Sequence, residues 1–121
     1  MADNKLVLVG THGDEDPERA SIPFVMANAA LASEVHVSII LQANGVFLAT
    51  KGYAKHVKTE VFPPLPDLIK GFMDSGGKLM VCSPCLKARG IAEDLLLEGS
   101  IIVAGGTIVA EVMSADSSLS Y

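Results

Sequence analysis

Cys82-Ser83-Pro84-Cys85 holds the most reactive side chains in the sequence. A thiolate is a nucleophile, a metal ligand and a redox partner, whereas a buried neutral thiol behaves as a small hydrophobe. The pair therefore admits four readings: a redox couple, half of a metal site, one working nucleophile with a companion, or two packing residues. A tetrahedral zinc site needs four ligands, and His12, His36 and His56 show no ligand spacing with one another or with the cysteines. No metal is expected. His12 lies in an acidic, glycine-containing segment and is a candidate base or thiolate partner for Cys82, or else an exposed loop histidine. Asp14, Glu15 and Asp16 gather three carboxylates, whose oxygens suit a hard cation; their expected role is to favour the helix that follows. Ala43-Asn44-Gly45 is a turn signal, in which Asn44 is also a candidate hydrogen-bond donor to a ligand. Gly105 and Gly106 form a minimal anion-binding turn or a tight turn ahead of a helix, and match neither a dinucleotide fingerprint nor a P-loop.

Those side chains need a scaffold. The chain has 121 residues, enough for one core but not two, and a net charge of −5. Half of its residues are hydrophobic and only 19% are charged, below the roughly 25% typical of soluble domains. Part of the surface is therefore expected to be covered by further copies of the chain. With no basic stripe and no Trp, nucleic acid is not an expected partner. The opening residues lack a basic region followed by a long apolar run, and no apolar stretch approaches the roughly 20 residues of a spanning helix. The cytoplasm, where thiols stay reduced, is the expected setting, with no membrane partner.

Four nearly continuous apolar runs, at 6–9, 35–41, 78–82 and 100–104, read as parallel strands covered on both faces. The tail Ser117–Tyr121 reads as a weaker edge strand. Asp16 and Pro17 are a helix cap and first residue, and Pro23 predicts a bend or a fresh start at Ser21. Leu65, Leu68, Ile69, Phe72 and Met73 share one helical face that stops at Gly76 or Gly77. Residues 91–99 and 106–115 read as further helical segments. Strands alternating with helices predict an α/β three-layer sandwich, its mostly parallel sheet of about five strands flanked by helices. In such sheets ligands sit beyond the carboxyl ends of the strands. The segments 10–18, 42–46, 83–90 and 105–107 should therefore converge on one edge. Ser83 and Pro84 read as cap and first residue of a helix running to Gly90. Cys82 then precedes that helix and Cys85 lies in its first turn. The helix start, and Arg89 four residues after Cys85, predict a thiol pKa below the free value of about 8.5.

The stretch "CSPCLKARGI", with Cys82 seven residues before Arg89 and closing on Arg89-Gly90, resembles the sulfur-carrier segment of the DsrE/DsrF/TusD family. Residues 6–50 are similar to that family's first strand, acidic loop, helix, second strand and Gly-Val turn, and the likeness extends over most of the chain. It implies a single DsrE-like α/β domain over residues 1–121, assembled as trimers or hexamers. It also implies that Cys82 holds sulfur as a persulfide, received from a donor protein and passed to an acceptor protein without a cofactor. Cys85 belongs to a variant with a second cysteine. It opens another reading, a small thiol–disulfide or peroxide-reducing protein. A non-catalytic, oligomeric small-ligand-binding module is the third.

Overall fold

A computed structural model describes residues 3–121. Five strands, β1 (Lys5–Gly10), β2 (His36–Leu41), β3 (Lys78–Cys82), β4 (Ile101–Val103) and β5 (Ser117–Ser120), form one sheet in the order β4-β3-β2-β1-β5. Every neighbouring pair is parallel. With helices α1 (Pro17–Ala32), α2 (Leu65–Asp74), α3 (Ser83–Ala88) and α4 (Gly105–Met113), the chain is the expected α/β sandwich.

The apolar strand runs follow from two covered faces. Successive side chains of a strand point to opposite sides, so Leu8, Ile39 and Leu79 join one core while Val7, Ile40 and Met80 join another. The first core contains Phe24 and Ala27 of α1 and Leu65, Ile69 and Phe72 of α2. Phe24 and Phe72 meet edge to face, with ring centroids 5.8 Å apart. The second core is thinner, with Ile108 and Val112 of α4 packed against it.

Helix α1 begins as the sequence predicts: the Asp16 side chain accepts from the Arg19 N–H at 3.1 Å, and Pro17 is its first residue. The fresh start at Ser21 does not occur. The helix continues past Pro23, which is buried close to Gly10 and Leu41 of the sheet, and core packing outweighs the one lost hydrogen bond. Helix α2 buries the predicted Leu65, Ile69 and Phe72, with Leu68 and Met73 half-buried, and ends at Gly76, whose φ of 90° is the left-handed stop. Residues 91–99 are not the predicted helix. They contain only a 3-10 turn, Glu93–Leu95. Lys51 N–H donates to the Leu95 carbonyl and Leu97 N–H to the Ala49 carbonyl. These long-range partners take backbone groups that a helix would have used internally.

Helix α4 buries none of its residues fully, and a polar cluster around Glu111 ties it to the sheet beside the Ile108 and Val112 packing. The Glu111 carboxylate accepts from the Ser38 hydroxyl, and the ammonium groups of Lys5 and Lys78 lie 3.0 and 3.7 Å away. Burial opposes ionisation of Glu111, but Ser38, Lys5 and Lys78 outweigh it and hold the carboxyl below the usual range. A depressed folded-state pKa contributes stability that is present above the unfolded value and lost as pH falls through the folded one. Glu111→Gln should cost roughly 1–2 kcal/mol at neutral pH and flatten the acid limb of stability. Urea midpoints measured from pH 7 to pH 3 check this; parallel curves for the two proteins would refute it. Among the described residues no helix is long and apolar enough to cross a membrane.

Candidate functional site

Because all five strands are parallel, their carboxyl ends lie along one edge, where the loops after β1, β2 and β3 meet. Cys82 ends β3 and is only 6% exposed. It, and not Ser83, is the N-cap of α3, one residue earlier than predicted; the helix ends at Ala88 and not at Gly90. Cys85 sits in the first turn of α3 and is half-buried, and both thiols are free.

The β2 loop enters from the side. Residues 43–49 form a 3-10 helix whose first residue, Ala43, has a φ of 50°. That left-handed backbone is uncommon for a residue with a Cβ. It presents the Ala43 N–H to Cys85 Sγ at 3.3 Å. Gly45 lets this loop touch the end of β1: a Cβ there would lie 2.3 Å from the Gly10 carbonyl oxygen.

A polar chain joins the three loops. Arg89 donates through Nη1 to the Cys85 carbonyl at 3.2 Å and through Nε to Asn44 Oδ1 at 3.1 Å. Asn44 Nδ2 donates to Glu15 Oε1 at 3.3 Å, and the same oxygen accepts the Gly13 N–H at 2.7 Å. Glu15 Oε2 meets His12 Nδ1 at 2.7 Å. Desolvation raises the Glu15 pKa, but the Gly13 N–H, His12 and Asn44 outweigh it and hold the carboxyl below the usual range. Behind this loop the Tyr53 hydroxyl accepts the Asp14 N–H at 3.0 Å, and its ring stacks on Phe47.

The expected lowering of the thiol pKa does not hold for Cys82. Burial pushes it up, and so does the neighbouring Cys85 thiol; the Cys85 N–H and the Arg89 guanidinium act the other way without prevailing. With only six residues, α3 offers little dipole to offset desolvation.

The sequence-derived candidates divide accordingly. Cys82, Cys85, Asn44 and Arg89 come together. His12, a candidate partner for Cys82 or else a loop histidine, pairs with Glu15, and Arg89 is the cation that reaches the cysteine loop. Gly105 and Gly106 open α4 and are exposed. An added Cβ would meet nothing within 4 Å at either position, and among the described residues no hydrogen bond ties them to the thiols. Tyr53 is not among the sequence-derived candidates, and Glu15 enters them only as one of three loop carboxylates, with no sign of its contact to Asn44. The one local signal was Glu15 three residues after His12 in a loop, a spacing that permits their contact but does not reveal Asn44. Among the described residues no group of three or more His, Cys, Asp or Glu side chains is arranged to hold a metal.

The chain and its fold are similar to known proteins. The chain is 35% identical to the uncharacterized protein MJ0760 of Methanocaldococcus jannaschii over 106 residues, covering 88% of this chain and 38% of that protein. The chain thus spans less than half of that relative. It is 32% identical to the uncharacterized protein MJ0989 of the same organism over 117 residues, covering 97% of this chain and 99% of that one. The fold is similar to the crystal structure of the ychN protein from E. coli, with a TM-score of 0.83 at 19% identity over 98% of this chain and 99% of that one. It is also similar to MTH1491 from Methanobacterium thermoautotrophicum, a protein of unknown function, with a TM-score of 0.72 at 18% identity over 97% and 99% of the two chains. The profile of the DsrE/DsrF-like family matches residues 4–121, and the chain belongs to that family.

Proposed function

We propose that the chain is a sulfur carrier working through Cys82. The Cys82 thiolate attacks the outer sulfur of a donor protein's persulfide, the donor's sulfur–sulfur bond breaks, and the donor thiolate leaves. An acceptor thiolate later attacks the outer sulfur of the Cys82 persulfide and regenerates the Cys82 thiolate. The reaction needs no cofactor. The observation that carries this reading is the placement of Cys82 at the carboxyl end of a central strand, almost out of solvent, beside Arg89 and a second free thiol. Burial shields a stored persulfide from stray thiols, and Arg89 favours its anionic form.

Cys85 favours one further outcome. As a thiolate it attacks the inner sulfur of the Cys82 persulfide, forms a Cys82–Cys85 disulfide and expels hydrosulfide. An external dithiol is then needed to restore the pair. The test is intact-mass analysis after incubation with a persulfide donor. Gain of one sulfur atom by the wild-type chain supports the carrier. Reversible loss of two hydrogen atoms, their electrons passing to the donor, with no sulfur retained at any time, replaces it with the thiol–disulfide reading.

We also propose that copies of the chain assemble over the thin side of the sheet, as trimers or hexamers. Val109 and Met113 of α4 are 62% and 78% exposed, and Ile101 of β4, in register with Met80 of the thin core, is 42% exposed. Packing these side chains against their equivalents removes apolar surface from water. Replacing Val109 and Met113 together by Asp should reduce the sedimentation coefficient to that of one chain. A wild-type chain that already sediments as a monomer at micromolar concentration would refute the proposal.

A further inference from the structure

We infer that Glu15 is a positioning residue for the thiol pair, acting through Asn44 to hold the Arg89 guanidinium against the cysteine loop. The inference rests on the reading that these thiols react. It does not depend on whether they carry sulfur.

An Asn side chain presents a carbonyl oxygen and an amide on a rotor that two partners can orient. Arg89 Nε donates to its oxygen and Glu15 accepts from its nitrogen. If the amide flipped, its NH2 group would face the guanidinium and its oxygen the carboxylate, and both contacts would become repulsive. Glu15 thereby selects the orientation that holds Arg89. Glu15 is in turn anchored at 2.7 Å by both the Gly13 N–H and His12 Nδ1. With Nε fixed by Asn44 and Nη1 by the Cys85 carbonyl, the guanidinium keeps its charge beside the thiols. Besides burial, the groups acting on Cys82 are Cys85 and Arg89; Glu15 and His12 stand two and three contacts behind Arg89.

Two effects of Glu15 on the thiols have opposite signs. Its negative charge disfavours a thiolate directly, whereas its hold on Asn44 favours one through Arg89. Substitutions separate them. Glu15→Ala removes both and, if positioning dominates, raises the pH midpoint of cysteine alkylation. Glu15→Gln keeps an oxygen for the Gly13 N–H and Asn44 but drops the charge, so it gives no upward shift.

The experiment is the pH profile of iodoacetamide alkylation from pH 6 to pH 10, with Cys85 and Cys82 followed separately by peptide mass. Glu15→Ala should move the midpoint of the faster-reacting thiol up by about half a pH unit, a roughly threefold loss of thiolate at neutral pH. In an Arg89→Ala background Glu15→Ala should produce no further upward shift. A downward shift in both Glu15 variants, or an upward shift that persists without Arg89, would overturn the inference. Should Glu15→Ala fail to fold, Asn44→Ala tests the same link and should also raise the midpoint. Failure of sulfur retention in the mass experiment would leave these profiles untouched, so the two proposals fail separately.

Discussion

After treatment with a persulfide donor, Cys82→Ser retains no sulfur above background, while Cys85→Ser retains it longer than the wild type. That pair of opposite outcomes is the largest expected effect in the protein. A serine hydroxyl at position 82 is not ionised at neutral pH and cannot take sulfur from a persulfide. In Cys85→Ser the Cys82 nucleophile is intact, but the neighbour that would expel hydrosulfide is gone. Intact mass reads the retained sulfur, and a colorimetric sulfide assay reads its release. The initial rate of sulfur loading should also climb with pH, by roughly tenfold per unit below the thiol pKa, because burial and Cys85 push the Cys82 thiol up. Loss of retention in Cys85→Ser with full retention in Cys82→Ser would move the carrier role to the second cysteine. Full retention in both variants would place the chemistry outside the pair.

The second large effect is expected from a residue with no reactive atom. In Gly45→Ala the new methyl group would stand 2.3 Å from the Gly10 carbonyl oxygen and 2.9 Å from its carbon. Both are backbone atoms of the β1 terminus, so no side-chain rotation relieves the clash. The β2 loop must move off the sheet, at a cost of roughly 3 kcal/mol. Ala43 and Asn44 move with it, and with them the N–H on Cys85 and the partner of Arg89. Denaturant titration should show a lower midpoint with an unchanged slope, and the same variant should lose sulfur retention at temperatures where it is still folded. Wild-type stability in Gly45→Ala would mean that the loop reseats freely and that its contact with β1 does not set the site.

Both results test something only partly visible in the order of residues. The strand runs were readable because a parallel strand covered on both faces is apolar at nearly every position, as in Val37–Leu41. Asp16-Pro17 announced α1 because cap and first-turn chemistry act over three residues. The amphipathic spacing from Leu65 to Met73 announced α2 in the same local way. Local rules failed where distant partners decided. The leucine-rich run at 94–97 has the composition of a helix, but its backbone bonds to residues 49–51. Pro23 allows a fresh start at Ser21, but the core holds one helix across it.

The same division runs through the site. Taken alone, the sequence determined that two thiols lie where a buried strand gives way to a helix, since strand pattern, proline and spacing are all local, and an α/β alternation brings strand ends to one edge. The tertiary structure decided how those thiols behave. It buried Cys82 and left Cys85 half-exposed, turned His12 to Glu15, and linked Glu15, Asn44 and Arg89 across sequence separations of 29 and 45 residues. Periodicity carries information over three or four residues at a time. Desolvation and hydrogen-bond partners depend on whatever the folded chain places nearby, and in a parallel sheet that neighbour comes from a different crossover.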